Sequence, residues 1–187
     1  MNKVISSFAL ITGLMGFLFT AQAQVLEDRK LPSNEIKINI ANTIIVGSLE
    51  LGYEYFIDQN QSIGLEVMFM DRFAYISDSD DDKDFNATSV MLSYNYYFVI
   101  AIDPSGFYVL PFLKYRGGTF TEIIDEETME TNLNSIMIGF GTGYKWVHND
   151  KFVLGPYVNI ARGFNSEVSE RFAPVEVNAG FSIGFRF

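Results

Sequence analysis

The chain has 187 residues, a formal net charge of −10 and no cysteine, and 48% of its residues are hydrophobic. The lack of cysteine argues against a thiolate metal site, a disulfide framework and a lipidated cysteine anchor. The negative charge argues against nucleic acid as a partner, because surfaces that bind nucleic acid are basic.

The first 23 residues predict a secretory signal peptide. Lys3 provides the positive start, an apolar run extends from Val4 to Phe19, and Ala21-Gln22-Ala23 has the small residues of a cleavage site. The apolar run is shorter than the roughly 20 residues that a membrane-spanning helix needs. We expect cleavage after Ala23, which would remove one lysine and no acid and change the net charge from −10 to −11.

Alternation of apolar and polar residues runs through the rest of the chain and predicts β-strands. It is clearest from Val175 to Phe187, where mostly apolar residues at odd positions alternate with polar residues and glycine. Such a strand has one apolar and one polar face. We predict eight strands, and no helix of comparable length, over residues 35–45, 48–57, 62–71, 87–100, 107–117, 134–147, 151–163 and 174–187.

The connections between these strands are of two alternating kinds. Short turns of turn-favouring residues are predicted at 57–60, 103–106 and 148–150, and longer polar loops at 72–86, 118–133 and 164–173. This alternation is typical of an up-and-down meander, and in outer-membrane barrels the short turns face the periplasm. The first outward connection, around Gly47, is short and fits this arrangement less well.

The two faces of the strands differ in a way that predicts which one is inside. The apolar face is large and nearly uncharged, and exceptions such as Asp71 and Arg162 fall at loop ends, where lipid headgroups would lie. The opposite face combines glycines with charges of both signs. A soluble secreted barrel, the alternative, has little need of glycines on a wet surface, whereas a narrow lumen needs small residues and paired charges. We therefore predict an all-β, transmembrane, up-and-down antiparallel barrel over residues 35–187, with 24–34 as a periplasmic segment.

The last strand carries a specific motif. Apolar residues stand at alternate positions and the chain ends on phenylalanine, the residues being Phe181, Ile183, Phe185 and Phe187. This pattern resembles the C-terminal assembly signal of bacterial outer-membrane proteins. Through its overall pattern and the segments 52–55 and 111–115, the chain resembles small eight-stranded barrels of the OmpA/OmpX type and a widespread barrel family of unassigned function. The resemblance implies a bacterial outer-membrane location, contact with its lipids and recognition by the barrel assembly machinery.

The sequence has few residues arranged for catalysis or metal binding. Resemblance to the enzymatic outer-membrane barrels would imply a histidine beside a serine or an aspartate. The single histidine, His148, lies in a predicted periplasmic turn, which argues against such a site. Alternate aspartates over 78–84 could bind calcium, but Lys83 stands where an EF-hand loop needs glycine and Ser89 where it needs glutamate. We predict no catalytic residue, cofactor or metal, and a solvated acidic loop at the outward mouth.

The charges on the predicted inner face form a candidate network, namely Glu50, Glu54, Glu66, Lys114, Arg116, Lys145, Glu176 and Arg186. Eight strands enclose an interior that side chains can fill. Because the charges nearly balance, we predict a structural plug, with a narrow proton or ion path as the alternative, and Glu66 as the partner of Arg116.

The predicted function is a non-enzymatic barrel with acidic surface loops and a structural, adhesive or envelope role; a small pore or ligand transporter is the alternative. No partner for the loops is predicted.

Overall fold

The computed structural model describes residues 33–45, 47–71, 83–98, 104–124, 127–164 and 174–187. The predicted signal peptide, most of the predicted periplasmic segment and much of the predicted loops 72–86 and 164–173 lie outside these ranges. Within them the chain forms nine strands and one short helix. The elements are β1 (Asn34–Asn39), α1 (Ile40–Ile45), β2 (Leu49–Phe56), β3 (Gln61–Phe69), β4 (Lys83–Tyr97), β5 (Gly106–Ile124), β6 (Glu127–Asn132), β7 (Ser135–His148), β8 (Phe152–Gly163) and β9 (Val175–Arg186).

Eight of these strands form a closed antiparallel barrel. Strands β1 to β5 pair in chain order, β5 pairs with β7, β7 with β8 and β8 with β9, and β1 pairs with β9 to close the ring. The predicted all-β, eight-stranded, up-and-down architecture is confirmed. Among the described residues, no helix is long and apolar enough to cross a membrane.

The strands are staggered around the ring. Following paired residues from Glu35 through every strand leads to Glu176, yet Glu35 itself pairs with Arg186, which is ten positions further along β9. Such a stagger requires the strands to tilt against the barrel axis. Residues far apart in strand register therefore meet across the lumen.

The outer surface of the barrel is apolar. Leu65, Leu92 and Ile138 are exposed, whereas residues adjacent to them in sequence, such as Glu66 and Ser93, are buried inside. The alternation thus has the direction predicted from the sequence. An exposed apolar surface of this extent is uncommon on soluble monomers.

The predicted strand over 35–45 is wrong in its second half, where α1 forms. The side chain of Asn39 accepts a hydrogen bond from the backbone N–H of Asn42 (3.2 Å), which is how an asparagine caps a helix start. Past the helix, Gly47 has a φ of +70°, a conformation that glycine adopts freely and that is common just after helix ends. These local signals end the strand, whose apolar alternation does not continue past Ile40.

The predicted loop over 118–133 is also wrong. Strand β5 continues to Ile124, and β6 pairs with it from Glu127 to Asn132. Residues 83–88 of β4 pair with the same part of β5, so three strands continue past the last pairings of β3 and β7. The segment is rich in threonine and in branched or aromatic residues, which favour strands. Residues 83–88 of β4, the end of β5 and strand β6 form a sheet that we call the extension.

Candidate functional site

Two clusters of paired charges cross the lumen. The lower cluster, near the short turns, contains Glu35, Glu54, Lys145 and Arg186, which come from β1, β2, β7 and β9. Lys145 Nζ lies 2.8 Å from Glu35 Oε1 and 2.9 Å from Glu54 Oε2. Arg186 Nε lies 2.8 Å from Glu35 Oε2, and its Nη2 donates to the backbone oxygen of Pro104. Two acids therefore balance two bases.

Aromatic rings surround the lower cluster. The Nζ of Lys145 lies 4.9 Å from the ring centre of Tyr97, and the Cζ of Arg186 lies 4.6 Å from that of Phe56. The hydroxyl of Tyr97 donates to Glu54. Desolvated cation–π contacts of this kind favour the charged side chains by about 2 kcal/mol. Both rings are buried with these charges inside the barrel.

The upper cluster, nearer the long loops, contains Asp71, Lys114, Arg116 and Glu176. Lys114 Nζ lies 2.7 Å from both Asp71 Oδ2 and Glu176 Oε1. Arg116 Nη2 lies 2.7 Å from Asp71 Oδ2 and 2.5 Å from Glu176 Oε2. Each base contacts both acids, so this cluster is also balanced. Ser89 adds a donor to Asp71.

Apolar side chains pack inside the barrel beside the upper cluster. Met68, Met91, Phe112 and Met137 are buried there. A Cβ on Gly139 would lie 2.2 Å from the Cζ of Phe112, so glycine provides the space that this ring occupies. The interior therefore combines charged clusters with buried apolar side chains.

A third polar group lies between the clusters. Lys37 Nζ pairs with Glu66 Oε1 at 2.5 Å. The buried carboxylate of Glu50 instead accepts hydrogen bonds from neutral groups, which are Asn39 Nδ2 (2.7 Å), Asn42 Nδ2 (2.6 Å), the Tyr157 hydroxyl (2.7 Å) and Asn178 Nδ2 (3.5 Å). Within the described part of the chain, Glu50 has no ion pair.

The eight charges selected from the sequence are distributed over these three groups. Glu54, Lys145 and Arg186 are in the lower cluster, Lys114, Arg116 and Glu176 in the upper one, and Glu50 and Glu66 lie between. The expectation that Glu66 meets Arg116 is wrong, because Glu66 contacts Lys37 and Arg116 contacts Asp71 and Glu176.

Asp71 corrects a second expectation. It was assigned to the outer face near headgroups, but it is buried inside the barrel. Met70 has a φ of 53°, which ends the regular alternation after Phe69 and turns the next side chain inward. Glu35 was missed as a member because it starts the first strand, although it shares the parity of Lys37.

The residues of the predicted assembly motif lie on the outer face. Phe181, Ile183, Phe185 and Phe187 are all exposed. His148, the last residue of β7, is exposed beside the short turn at 149–150. Among the described residues, no three acidic or histidine side chains are placed to hold a metal ion. The predicted acidic loop over 78–84 lies largely outside the described residues.

Comparison with solved structures supports the fold. The chain is similar to the N-terminal β-barrel domain of Pseudomonas aeruginosa OprF, with a TM-score of 0.51 and 16% identity over 83% of this chain and 98% of that one. It is less similar to Neisserial surface protein A, with a TM-score of 0.49 and 14% identity over 82% of this chain and 93% of that one. The TM-score with Ail, the attachment invasion locus protein of Yersinia pestis, is 0.42, at 11% identity over 82% of this chain and 93% of that one. No family model and no curated protein matches the sequence. The likeness to OprF shows the fold. The predicted resemblance to small outer-membrane barrels is confirmed at that level.

Proposed function

We propose that the protein is a non-enzymatic barrel of the bacterial outer membrane, with a closed lumen and a structural or adhesive role at the cell surface. The observation that carries the proposal is the pair of balanced clusters that cross the lumen at two levels. The apolar outer surface supports the membrane location, since outer-membrane barrels present such a band to lipid.

The closed lumen argues for a structural role over transport. Arg116 and Arg186 are among the largest fully buried side chains, and each contacts partners on other strands. An ion moving along the axis would have to separate these pairs, and breaking a buried pair costs about 3–5 kcal/mol. The buried side chains of Met68, Met91, Phe112 and Met137 add a second barrier, because they offer no ligands to an ion.

Recording from planar bilayers tests the closed lumen. We expect the refolded protein to insert without stepwise ionic conductance in neutral salt. Insertion should be verified separately by protease protection of the bilayer-bound barrel. Stepwise conductance from inserted wild-type protein would refute the closed lumen and favour the alternative function, a small pore.

The extension is the part of the described chain best suited to a surface role. It continues past the barrel wall on the side of the long loops, and Glu130 is exposed on β6. Asp125 and Glu126 follow β5 directly in sequence. The acids in this part of the sequence would favour basic surfaces on a partner.

The C-terminal motif leads to a prediction about assembly. Phe187 exchanges two backbone hydrogen bonds with Asn34 (2.9 and 3.2 Å), but its side chain is 59% exposed. We expect deletion of Phe187 to reduce outer-membrane levels severalfold, because the assembly machinery would lose its recognition residue. The refolded variant should lose only about 1–3 kcal/mol of unfolding free energy, the net value of two hydrogen bonds.

Phe152→Ala is the matched control for this deletion. Phe152 is an exposed aromatic residue at the same end of the barrel, outside the last strand, and its ring packs 5.6 Å from that of Phe185. We expect Phe152→Ala to reach normal levels, as measured by quantitative blotting of membrane fractions. If the deletion variant and the control reach equal levels in the membrane fractions, Phe187 has no role in assembly.

A further inference from the structure

Strand pairing leaves part of the barrel wall unjoined beyond the end of β1. That strand ends at Asn39, which pairs with Ser182, whereas β9 begins earlier in the chain, at Val175. Among the described residues, the stretch 175–181 pairs only with β8, and Glu50 on β2 pairs only with β3. An open strand edge cannot face lipid. Something other than a strand ladder therefore has to close the wall between β2 and β9.

The short helix α1 lies at this place. It contacts both β9 and β2. Its Ile44 and Ile45 point outward and are 78% and 79% exposed, whereas Asn42 is buried on the inner side. The backbone oxygen of Asn42 accepts a hydrogen bond from Ser48 N–H (3.3 Å), within the connection to β2. The links from α1 across to β9 are made by side chains.

The carboxylate of Glu50 brings these side chains together. Its Oε1 accepts hydrogen bonds from the amides of Asn42 on α1 (2.6 Å) and Asn178 on β9 (3.5 Å). Its Oε2 accepts from the amide of Asn39 at the end of β1 (2.7 Å) and from the hydroxyl of Tyr157 on β8 (2.7 Å). Asn42 also donates to Asn178 Oδ1 (2.7 Å). One carboxylate on β2 is thus connected to four other elements.

The groups around Glu50 fit a carboxylate better than an amide. All four are donors, and an ionised carboxylate accepts at both oxygens, whereas glutamine would turn an NH₂ group toward some of these donors. The Tyr157 hydroxyl already accepts a hydrogen bond from Asn39, so its own hydrogen is directed to Glu50. Hydrogen bonds to an ionised acceptor are stronger than neutral ones.

Glycine at position 180 leaves space for this arrangement. A Cβ on Gly180 would lie 2.4 Å from Asn39 Nδ2 and 2.7 Å from the Tyr157 hydroxyl oxygen. These two groups occupy the space that a larger residue on β9 would fill. The backbone of β9 and the side chains that reach Glu50 are therefore matched in shape.

We propose that Glu50 is the residue that closes the barrel wall. Its buried carboxylate fastens α1 between β2 and β9, where strand pairing is missing, and so keeps lipid out of the lumen. In this arrangement α1 is a fixed part of the wall. The inference rests on the membrane location proposed above and extends the closed lumen from the axis to the side of the barrel. It also gives a role to the buried acid that has no ion pair among the described residues.

Hydrogen exchange of the refolded protein tests the fastening. Glu50→Gln should speed exchange of the amides in 39–45 and 175–181 about tenfold, because weaker links let this part of the wall open more often. Exchange over 109–115 of β5, across the ring, should change less than about twofold. Glu66→Gln is the matched control, since Glu66 is a neighbouring inner acid that pairs with Lys37. It should leave exchange over 175–181 unchanged. Equal effects of the two variants on 175–181, or a uniform increase in all strands with Glu50→Gln, would overturn the proposal.

Exchanging acceptor and donor separates fastening from a general loss of stability. Asn42→Asp alone sets a second carboxylate against Glu50 and should also speed exchange over 175–181. Combined with Glu50→Gln, it again places one carboxylate against amide donors, so the double variant should exchange more slowly than either single variant. Additive effects would overturn the pairing. If Glu50→Gln fails to refold, recovery of folding in the double variant supports the proposal, and failure of the double variant overturns it.

Cysteine labelling tests the exclusion of lipid, because the native chain has no cysteine. Ser182 is half-buried and lines the same inner cavity as Glu50. In liposomes, Ser182→Cys should react slowly with an uncharged, bilayer-soluble methanethiosulfonate. Adding Glu50→Gln should raise the rate severalfold, and adding Glu66→Gln should not. An unchanged rate with Glu50→Gln would overturn lipid exclusion. Protease protection reports insertion independently, so a failure of the membrane location is seen separately.

Discussion

Replacing Arg116 by alanine should lower the free energy of unfolding of the refolded barrel by about 3–5 kcal/mol. The guanidinium is fully buried and lies within 2.7 Å of both Asp71 and Glu176. Its loss leaves two buried carboxylates with Lys114 as the remaining base of the upper cluster. The cost comes mainly from this unmatched charge, because a buried ion without a partner loses its hydration and gains nothing in return.

Double substitutions identify the partners. Adding Glu176→Ala or Asp71→Ala to Arg116→Ala should restore part of the loss, since the second change removes the unmatched acid. Adding Glu66→Ala should be additive, because Glu66 pairs with Lys37. Urea unfolding in detergent measures all of these variants. Strict additivity in the first two doubles would contradict the pairing, and coupling in the Glu66 double would contradict its assignment to Lys37.

The inner face of the barrel could be predicted from the sequence, but the contacts across it could not. Side-chain parity along each strand is a local property, and it placed Lys114, Arg116 and Glu176 inside. Which acid meets which base depends on the stagger of ten positions, which is a property of the closed ring. Glu66 and Arg116 have suitable charge and parity, yet the tilt separates them.

The errors in strand assignment have local causes. The alternation over 35–40 predicts a strand, but it does not continue over 41–45, where the cap formed by Asn39 and the glycine at position 47 favour a helix. Asp71 was placed outside because alternation was extended past Met70, whose positive φ interrupts it. Both deviations occur where β1 and β3 end, and both place polar groups inside the barrel. Glu50 has its hydrogen-bond partners because of the first deviation, and Asp71 has its ion-pair partners because of the second.

Replacing Leu92 by arginine should destabilise the barrel in a lipid bilayer by about 2–4 kcal/mol, the cost of a cation on the lipid face near the midplane. Leu92 is 52% exposed and pairs with Leu65 on β3 and Leu113 on β5, which are also exposed. Its surroundings on the outer surface are therefore apolar on both sides. No acid on these neighbouring positions could accept the new charge.

Ile136→Arg is the depth control for this substitution. Ile136 is equally outward-facing, but it is the second residue of β7, at the end nearer the long loops. There arginine should cost about 0–1 kcal/mol, because its long side chain reaches the interface. Leu92→Ala controls for the lost leucine. Unfolding in liposomes separates the possibilities, since a soluble barrel would tolerate either arginine to within about 0.5 kcal/mol. If Leu92→Arg costs no more than Ile136→Arg, the apolar surface does not face a bilayer core, and the membrane location fails with it.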